Sequence, residues 1–313
     1  MLFGKYHLVC RLTSDALLPY FKGSTFRGAF GHALKNVVCA LKRQECRQCL
    51  LNRKCLYSVV FEKPLPEESS RGARISGPPN PFVIEPPLNT DIHFQEGSSF
   101  DFNLLLFGDV NHSIPYFIYA FEQMGKIGIG RRLNGKRGLF KLESVMVGDK
   151  PVYNSSERKL RAGDTFEHIS LLPADLSPQE SFRLKVNMVT PMRLKFENRL
   201  KADLPFHVLV RAMLRRVSSL FECYGEGEPE LDYRGLVKRS EEIRIVEDSL
   251  RWYDWRRYSF RQEQSMLMGG MVGSITYEGK IGEYMPLVDL CSKVHLGKQT
   301  SFGLGKMKAE KVS

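Results

Sequence analysis

The order of periodic segments predicts an α+β chain of two tandem ferredoxin-like (RRM-like, βαββαβ) domains. The first carries a cysteine-rich insertion and the second a glycine-rich loop near its end. Three observations carry this expectation. A chain of 313 residues is long enough for about two cores. Strand-period and helix-period stretches run strand, helix, strand, strand, helix, strand, and the order returns after a polar stretch around 148 to 180. In each half a helix runs into a glycine- and lysine-rich turn and then a strand. The expected domains are residues 1–178 and 179–313.

The opening stretch alternates Tyr6, Leu8, Cys10 and Leu12 on one face with Lys5, His7, Val9 and Arg11 on the other, a half-buried strand with a basic outer face. Phe26, Phe30, Ala33, Leu34, Val37 and Leu41 then recur at helical spacing, predicting a helix near Thr25 to Leu41. After the cysteine segment a passage rich in proline and glycine leaves room only for a short edge strand around Pro81 to Ile84. Phe100, Phe102, Leu104 and Leu106 alternate as a strand, residues 112 to 125 read as a helix, and LFKLESVMV closes the first half. In the second half Phe182, Leu184, Val186 and Met188 mark a strand, and a helix spans about Leu204 to Phe221. Strand-like segments fall near 243 to 258 and 270 to 277, a helix near 282 to 293, and VHLGKQTSFGLGKM leads into a last strand.

Lysine and arginine total 46 against 35 acidic residues, a formal net charge of +11 that favours an anionic partner. No signal-peptide pattern opens the chain and no apolar run approaches the roughly 18 residues of a membrane span, so no membrane role is expected and the expected location is the cytoplasm. Four of the seven cysteines, Cys39, Cys46, Cys49 and Cys55, crowd into one segment. Cys46-x-x-Cys49 is a chelating pair that the two outer cysteines could complete as a structural tetrahedral zinc site; reduced thiols are the first alternative and an iron–sulfur cluster the second.

Two phosphate motifs fail. Gly130-x4-Gly135-Lys136 is followed by Arg137 where a P-loop needs Ser or Thr, and it lies after a helix and before a strand, the reverse of the required context. The dinucleotide fingerprint fails at Leu133, where the last glycine should stand.

FKGSTFRGAFGHAL (Phe21 to Leu34), CLYSVVFE, TPMRLK at 190 to 195 and the terminal HLGKQTSFGLG resemble the CRISPR-associated endoribonucleases that cut precursor CRISPR RNA. These form the sixth Cas protein family, within the RAMP superfamily. The most specific parts of the resemblance are Gly297, Gly303 and Gly305 in G-x5-G-x-G and the segment from Trp252 to Gln262. It covers nearly the whole chain, and it implies two ferredoxin-like domains, cleavage within each repeat of the transcript, and chemistry that needs no metal cofactor. CRISPR repeat RNA is then the expected partner, with effector-complex subunits as further partners and a monomer or homodimer as the assembly. The family has no fixed catalytic set, so the site must be argued from these residues.

Such cleavage uses the substrate's own 2′-hydroxyl and leaves a 2′,3′-cyclic phosphate and a 5′-hydroxyl. It needs a base, an acid and a cation for the crowded phosphorane. Histidine suits the proton transfers. At about 100° per residue His32 falls opposite the apolar stripe of the first helix, with Lys35 as its i,i+3 neighbour. Gly28 and Gly31, each costly in a helix, point to close approach there. Tyr20, just before the helix, could orient substrate. His32, Lys35 and Tyr20 are therefore the catalytic candidates.

For RNA binding the candidates flank the two glycine turns: Gly297, Lys298, Gly303, Gly305, Lys306 and His295 in the second half, Arg131 and Arg132 in the first. His295 is also placed to cap the preceding helix. The rival function is a non-catalytic RAMP subunit that holds guide RNA in an effector complex.

Overall fold

The computed structural model describes residues 1–312 other than 43, 64–76, 162, 164, 172–176, 178, 197–199 and 260–263. Arg261 and Gln262 of the tryptophan-rich motif thus lie outside the described residues. The chain divides into two compact units, Met1–Ile169 with Cys223–Gly225, and Ser170–Glu222 with Glu226–Ser313.

In the first unit β1 (Leu2–Leu12) and β2 (Ala16–Leu17) precede helix α1 (Gly23–Val38). Then come β3 (Phe82–Glu85), β4 (His93–Phe94), β5 (Ser99–Phe107) and helix α2 (Ile114–Ile127). A hairpin of β6 (Ile129–Leu133) and β7 (Lys136–Gly138) leads to β8 (Phe140–Val147). β9 (Lys150–Asn154), β10 (Lys159–Leu160) and β11 (Glu167–His168) complete the unit. The main sheet runs β10-β9-β8-β1-β5-β3 with β11 beside β1, and a smaller sheet runs β4-β2-β6-β7. Of the four strands that flank the two helices, the last lies beside the first and the third separates the first from the second. All neighbours are antiparallel, as in a ferredoxin-like unit.

Alternation places this sheet on its helices. Tyr6, Leu8, Cys10 and Leu12 point into one core with Phe26, Phe30, Ala33 and Leu34 of α1, so the period-2 and period-3.6 stripes meet. Phe30 stands at the centre: its ring lies 4.6 Å from Phe121 and 5.8 Å from each of Phe61, Phe82 and Phe117. Truncating such a buried ring to alanine costs about 3–5 kcal/mol. Gly31 is a close-approach position, because a Cβ there would stand 3.0 Å from the Phe61 ring. Gly28 is different: it is exposed, and nothing lies within 4 Å of where its Cβ would be.

The second unit holds β12 (Ser181–Met192), helices α3 (Phe206–Tyr224) and α4 (Tyr233–Arg239), and β13 (Arg244–Asp248). β14 (Arg251–Ser259), β15 (Gln264–Lys280), helix α5 (Met285–Val294) and β16 (Met307–Val312) follow. Its sheet runs β13-β15-β12-β16 with β14 on the other end of β15, antiparallel throughout, which repeats the order of the first unit. The α+β, twice-ferredoxin-like expectation therefore holds. Two readings are corrected: the polar stretch after Val147 contains β9 to β11, and the strand-like segment near 243 to 258 is two strands. Among the described residues no helix is long and apolar enough to cross a membrane.

Candidate RNA-processing site

Helix α1 buries Phe26, Phe30, Ala33 and Leu34 and turns His32 outward. His32 is exposed, with Nε2 3.4 Å from Nδ2 of Asn36, one turn further along. Lys35 is partly buried because its ammonium lies 5.4 Å from the Tyr57 ring centroid. The two share the outer half of the helix, but their polar atoms engage different partners. With Gly28 bare one turn before His32, a ligand can reach the helix backbone beside the imidazole.

Tyr20 is 55% exposed. Its backbone is held by a residue that the sequence reading passed over. Lys22 is fully buried, with Nζ donating to the carbonyls of Asn89 at 2.6 Å and Tyr20 at 3.5 Å, 5.5 Å from the Phe94 ring centroid. Burial pushes its ammonium below the usual lysine range, with Asp91 opposing that shift. A lysine beside a glycine carries no sequence signal for such burial.

The structure gives the zinc expectation no support. Among the described residues no three His, Cys, Asp or Glu side chains are arranged to hold a metal ion, and Cys39, Cys46, Cys49 and Cys55 are free thiols. Cys39, Cys49 and Cys55 line a cleft of about 470 Å³ shared with Leu41, Leu51 and Tyr116. Burial raises the Cys46 thiol pKa, with Lys35 working the other way.

The glycine stretch of the first unit is a hairpin packed at its base, where a Cβ on Gly130 would stand 2.3 Å from the Leu17 carbonyl oxygen, and open at its tip. Asn134 and Gly135 at its tip have φ of 48° and 81°, the two positive values that a tight two-residue turn between twisted strands requires. Arg131 and Arg132 on β6 are both exposed.

The loop after α5 is built differently. Gly297 and Gly305 take φ of 94° and 77°, and a Cβ would stand 2.6 Å from the Arg193 carbonyl oxygen and 1.8 Å from that of Leu296. The backbone N–H groups of Leu296, Lys298 and Gly305 donate to the carbonyls of Gly305, Arg193 and Pro191 at 2.8–3.0 Å. Those of Phe302 and Gly303 close a short helical turn onto Gln299 and Thr300. Thr190, the first residue of TPMRLK, is buried; its hydroxyl donates to Gly303 O at 2.8 Å and accepts from Lys306 N at 2.9 Å. These six amides are spent on the protein, and the loop is no open nest of free N–H groups.

Three of the expected binding residues are engaged inside the loop itself. His295 is fully buried at a φ of 58°, its Nδ1 2.9 Å from Leu304 O. Its own carbonyl, with that of Val294, accepts from the buried Arg216 guanidinium at 3.0 and 2.8 Å. His295 thus caps α5 and shapes the loop. Gly303 and Gly305 are buried too, so their part is to let the chain turn. Lys298 is exposed, and Lys306 and Gly297 are partly so. Nothing local marks Arg216 as their anchor, 79 residues away from His295.

Known proteins are similar to this chain in sequence or in fold. Residues 1–165 match the family model described as the AF_1859_N N-terminal domain, and residues 186–307 that of the CRISPR-associated endoribonuclease Cas6. An uncharacterized protein of Archaeoglobus fulgidus is 25% identical over 305 residues, covering 97% of this chain and 93% of its own. Among solved structures, a partial Cas6-RT-Cas1–Cas2 complex is similar at a TM-score of 0.60 and 15% identity, over 99% of this chain but 46% of that one. A Cas6 product complex reaches 0.57 at 13% identity, over 98% and 100%. Thermus thermophilus Cas6 reaches 0.53 at 12%, over 98% and 99%. At such identities the structures speak for the fold. The AF_1859_N model covers more than half of the chain, which belongs to that family, and residues 186–307 carry a Cas6-type domain of the CRISPR-associated RNA-processing proteins.

Proposed function

We propose that this protein cleaves precursor CRISPR RNA within its repeats by 2′-hydroxyl transesterification, giving 2′,3′-cyclic phosphate and 5′-hydroxyl ends. The observation that carries the reading is the exposed His32 on α1, one turn from the bare backbone of Gly28 and three residues from Lys35. His32 takes the proton of the attacking 2′-hydroxyl on a ring nitrogen. The 2′-oxygen bonds to phosphorus, the Lys35 ammonium faces the non-bridging oxygens of the phosphorane, and the departing 5′-oxygen takes a proton from solvent. Tyr20 holds the strand against the helix. Phosphates elsewhere on the RNA meet Arg131 and Arg132 on the hairpin and Lys298, Lys306 and the Gly297 backbone on the loop.

The test is single-turnover cleavage of repeat RNA in EDTA with mapped ends. Wild type should give the cyclic phosphate, and His32→Ala should lose on the order of 10²–10⁴-fold in rate with affinity nearly unchanged. Because His32 faces away from the core, the variant should melt as wild type does. Tight binding without cleavage by wild type would instead identify an RNA-holding subunit.

A further inference from the structure

The face of the first unit's sheet turned away from α1 and α2 carries a polar chain that the cleavage reading does not use. His7, Asn103 and Glu85 stand directly opposite one another across β1, β5 and β3, since His7 pairs with Asn103 and Asn103 with Glu85. Nδ2 of Asn103 donates to Oε2 of Glu85 at 2.8 Å, and Oδ1 of Asn103 lies 3.0 Å from Nδ1 of His7. Glu85 is 6% exposed, whereas the His7 side chain is 41% exposed.

Donor and acceptor roles along this chain are forced. A carboxylate only accepts, so the amide must turn its NH₂ to Glu85 and its carbonyl to His7. The carbonyl also only accepts, so Nδ1 must carry the ring proton. Asp101 Oδ2, 3.9 Å from Nδ1, is a second acceptor on the same side. Neutral His7 is then held as one tautomer, with the Nε2 lone pair available as an acceptor. Nothing in the core requires this, because the ring is on the outer face.

We propose that Nε2 of His7 accepts a hydrogen bond from a ribose 2′-hydroxyl of RNA lying along this face, with Asn103 and Glu85 as positioning residues. The inference rests on the reading of the chain as an RNA-binding enzyme. A phosphate brings no donor for a fixed acceptor. A ribose brings one, and it is the group that separates RNA from DNA. The neighbouring outward positions Lys5, Val9, Arg11 and Asp101 include no aromatic ring on which a base could stack, which favours contact with the sugar–phosphate backbone. Lys5, exposed and two residues from His7, stands about 7 Å along the strand and supplies a cation for an adjoining phosphate.

The experiment walks a single 2′-deoxy substitution along the repeat RNA and measures affinity for wild type and His7→Ala. One position should cost wild type about fivefold in affinity, and that penalty should vanish in His7→Ala. Ring ¹⁵N spectra of the free protein should show the proton on Nδ1, with the tautomers mixing in Asn103→Leu. Wild type that binds RNA, but whose deoxy profile is unchanged by His7→Ala, overturns this inference and leaves the enzyme reading standing. A ring proton on Nε2 overturns it as well. Wild type that binds no RNA at all removes both.

Discussion

The β6–β7 hairpin and the loop after α5 are written in the same residues, and they solve opposite problems. Both follow a helix, both are rich in glycine and both are flanked by basic side chains. At the hairpin tip Asn134 and Gly135 take positive φ and nothing lies within 4 Å of a Cβ on Gly135, whereas Gly130 at its base, at φ 82°, is packed against the Leu17 carbonyl. In the loop Gly297 and Gly305 are packed against backbone, and amides are committed to Pro191, Arg193 and Thr190. Glycine therefore marks a need for turning in both places, but only the destination of each backbone group separates a projecting basic arm from a self-supporting scaffold.

The largest effect expected from this contrast comes from one substitution made twice. Gly305→Ala places a methyl group where the Leu296 carbonyl oxygen stands and strains a left-handed backbone, so it should destabilise the protein by on the order of 4 kcal/mol in urea titration. Gly135→Ala meets only the conformational penalty, about 1–2 kcal/mol. Equal losses at the two sites would mean that the loop relaxes around a side chain, and the scaffold description would fail.

How much of this was legible in the sequence depends on the reach of the interaction. β1 was readable because Tyr6, Leu8, Cys10 and Leu12 alternate against one core, and α1 because Phe26, Phe30, Ala33 and Leu34 return at helical spacing. Each needs only its own segment to show its pattern. The 17-residue β15 read as a shorter strand, since Gly269, Gly270 and Gly273 carry no side chain to register the period. β9 was missed because KPVYN is short, contains proline and buries only two residues. At the candidate site His32 was visible from helical geometry alone. Lys22, Arg216 and the burial of His295 were not, since each depends on a carbonyl that only the tertiary fold brings near. The cysteines were legible as a cluster but not as a site, because spacing along the chain does not fix whether four sulfurs reach tetrahedral geometry.

A smaller effect should separate the two turns in RNA binding. The double variant Arg131→Ala, Arg132→Ala removes two exposed charges from a hairpin whose tip turn does not depend on them. Affinity for repeat RNA should fall on the order of tenfold, and the dependence of log K on log salt should flatten by about 0.7 per arginine that meets a phosphate. Melting should be unchanged. His295→Gln in the loop should show the reverse, a lower melting point with the salt slope intact. A normal salt slope for the arginine pair would show that the hairpin does not touch RNA, and the comparison would lose its functional half.

The smallest expected effect asks whether the loop is also braced from the β14 side. The Arg257 guanidinium lies 4.8 Å from the Phe302 ring centroid, and burial lowers its pKa below the usual arginine range. A desolvated cation over an aromatic face gains more than an exposed one, but Phe302 also fills space, so a single truncation confuses packing with charge. The cycle Arg257→Met, Phe302→Leu and the double variant isolates the pair, because each change keeps much of the side-chain volume. A coupling of about 0.5–1 kcal/mol by denaturant titration is the expected outcome. Raising salt should leave it nearly constant, since a partly buried contact is weakly screened. Strictly additive losses would mean that the loop is held only by its own amides, Thr190 and Arg216.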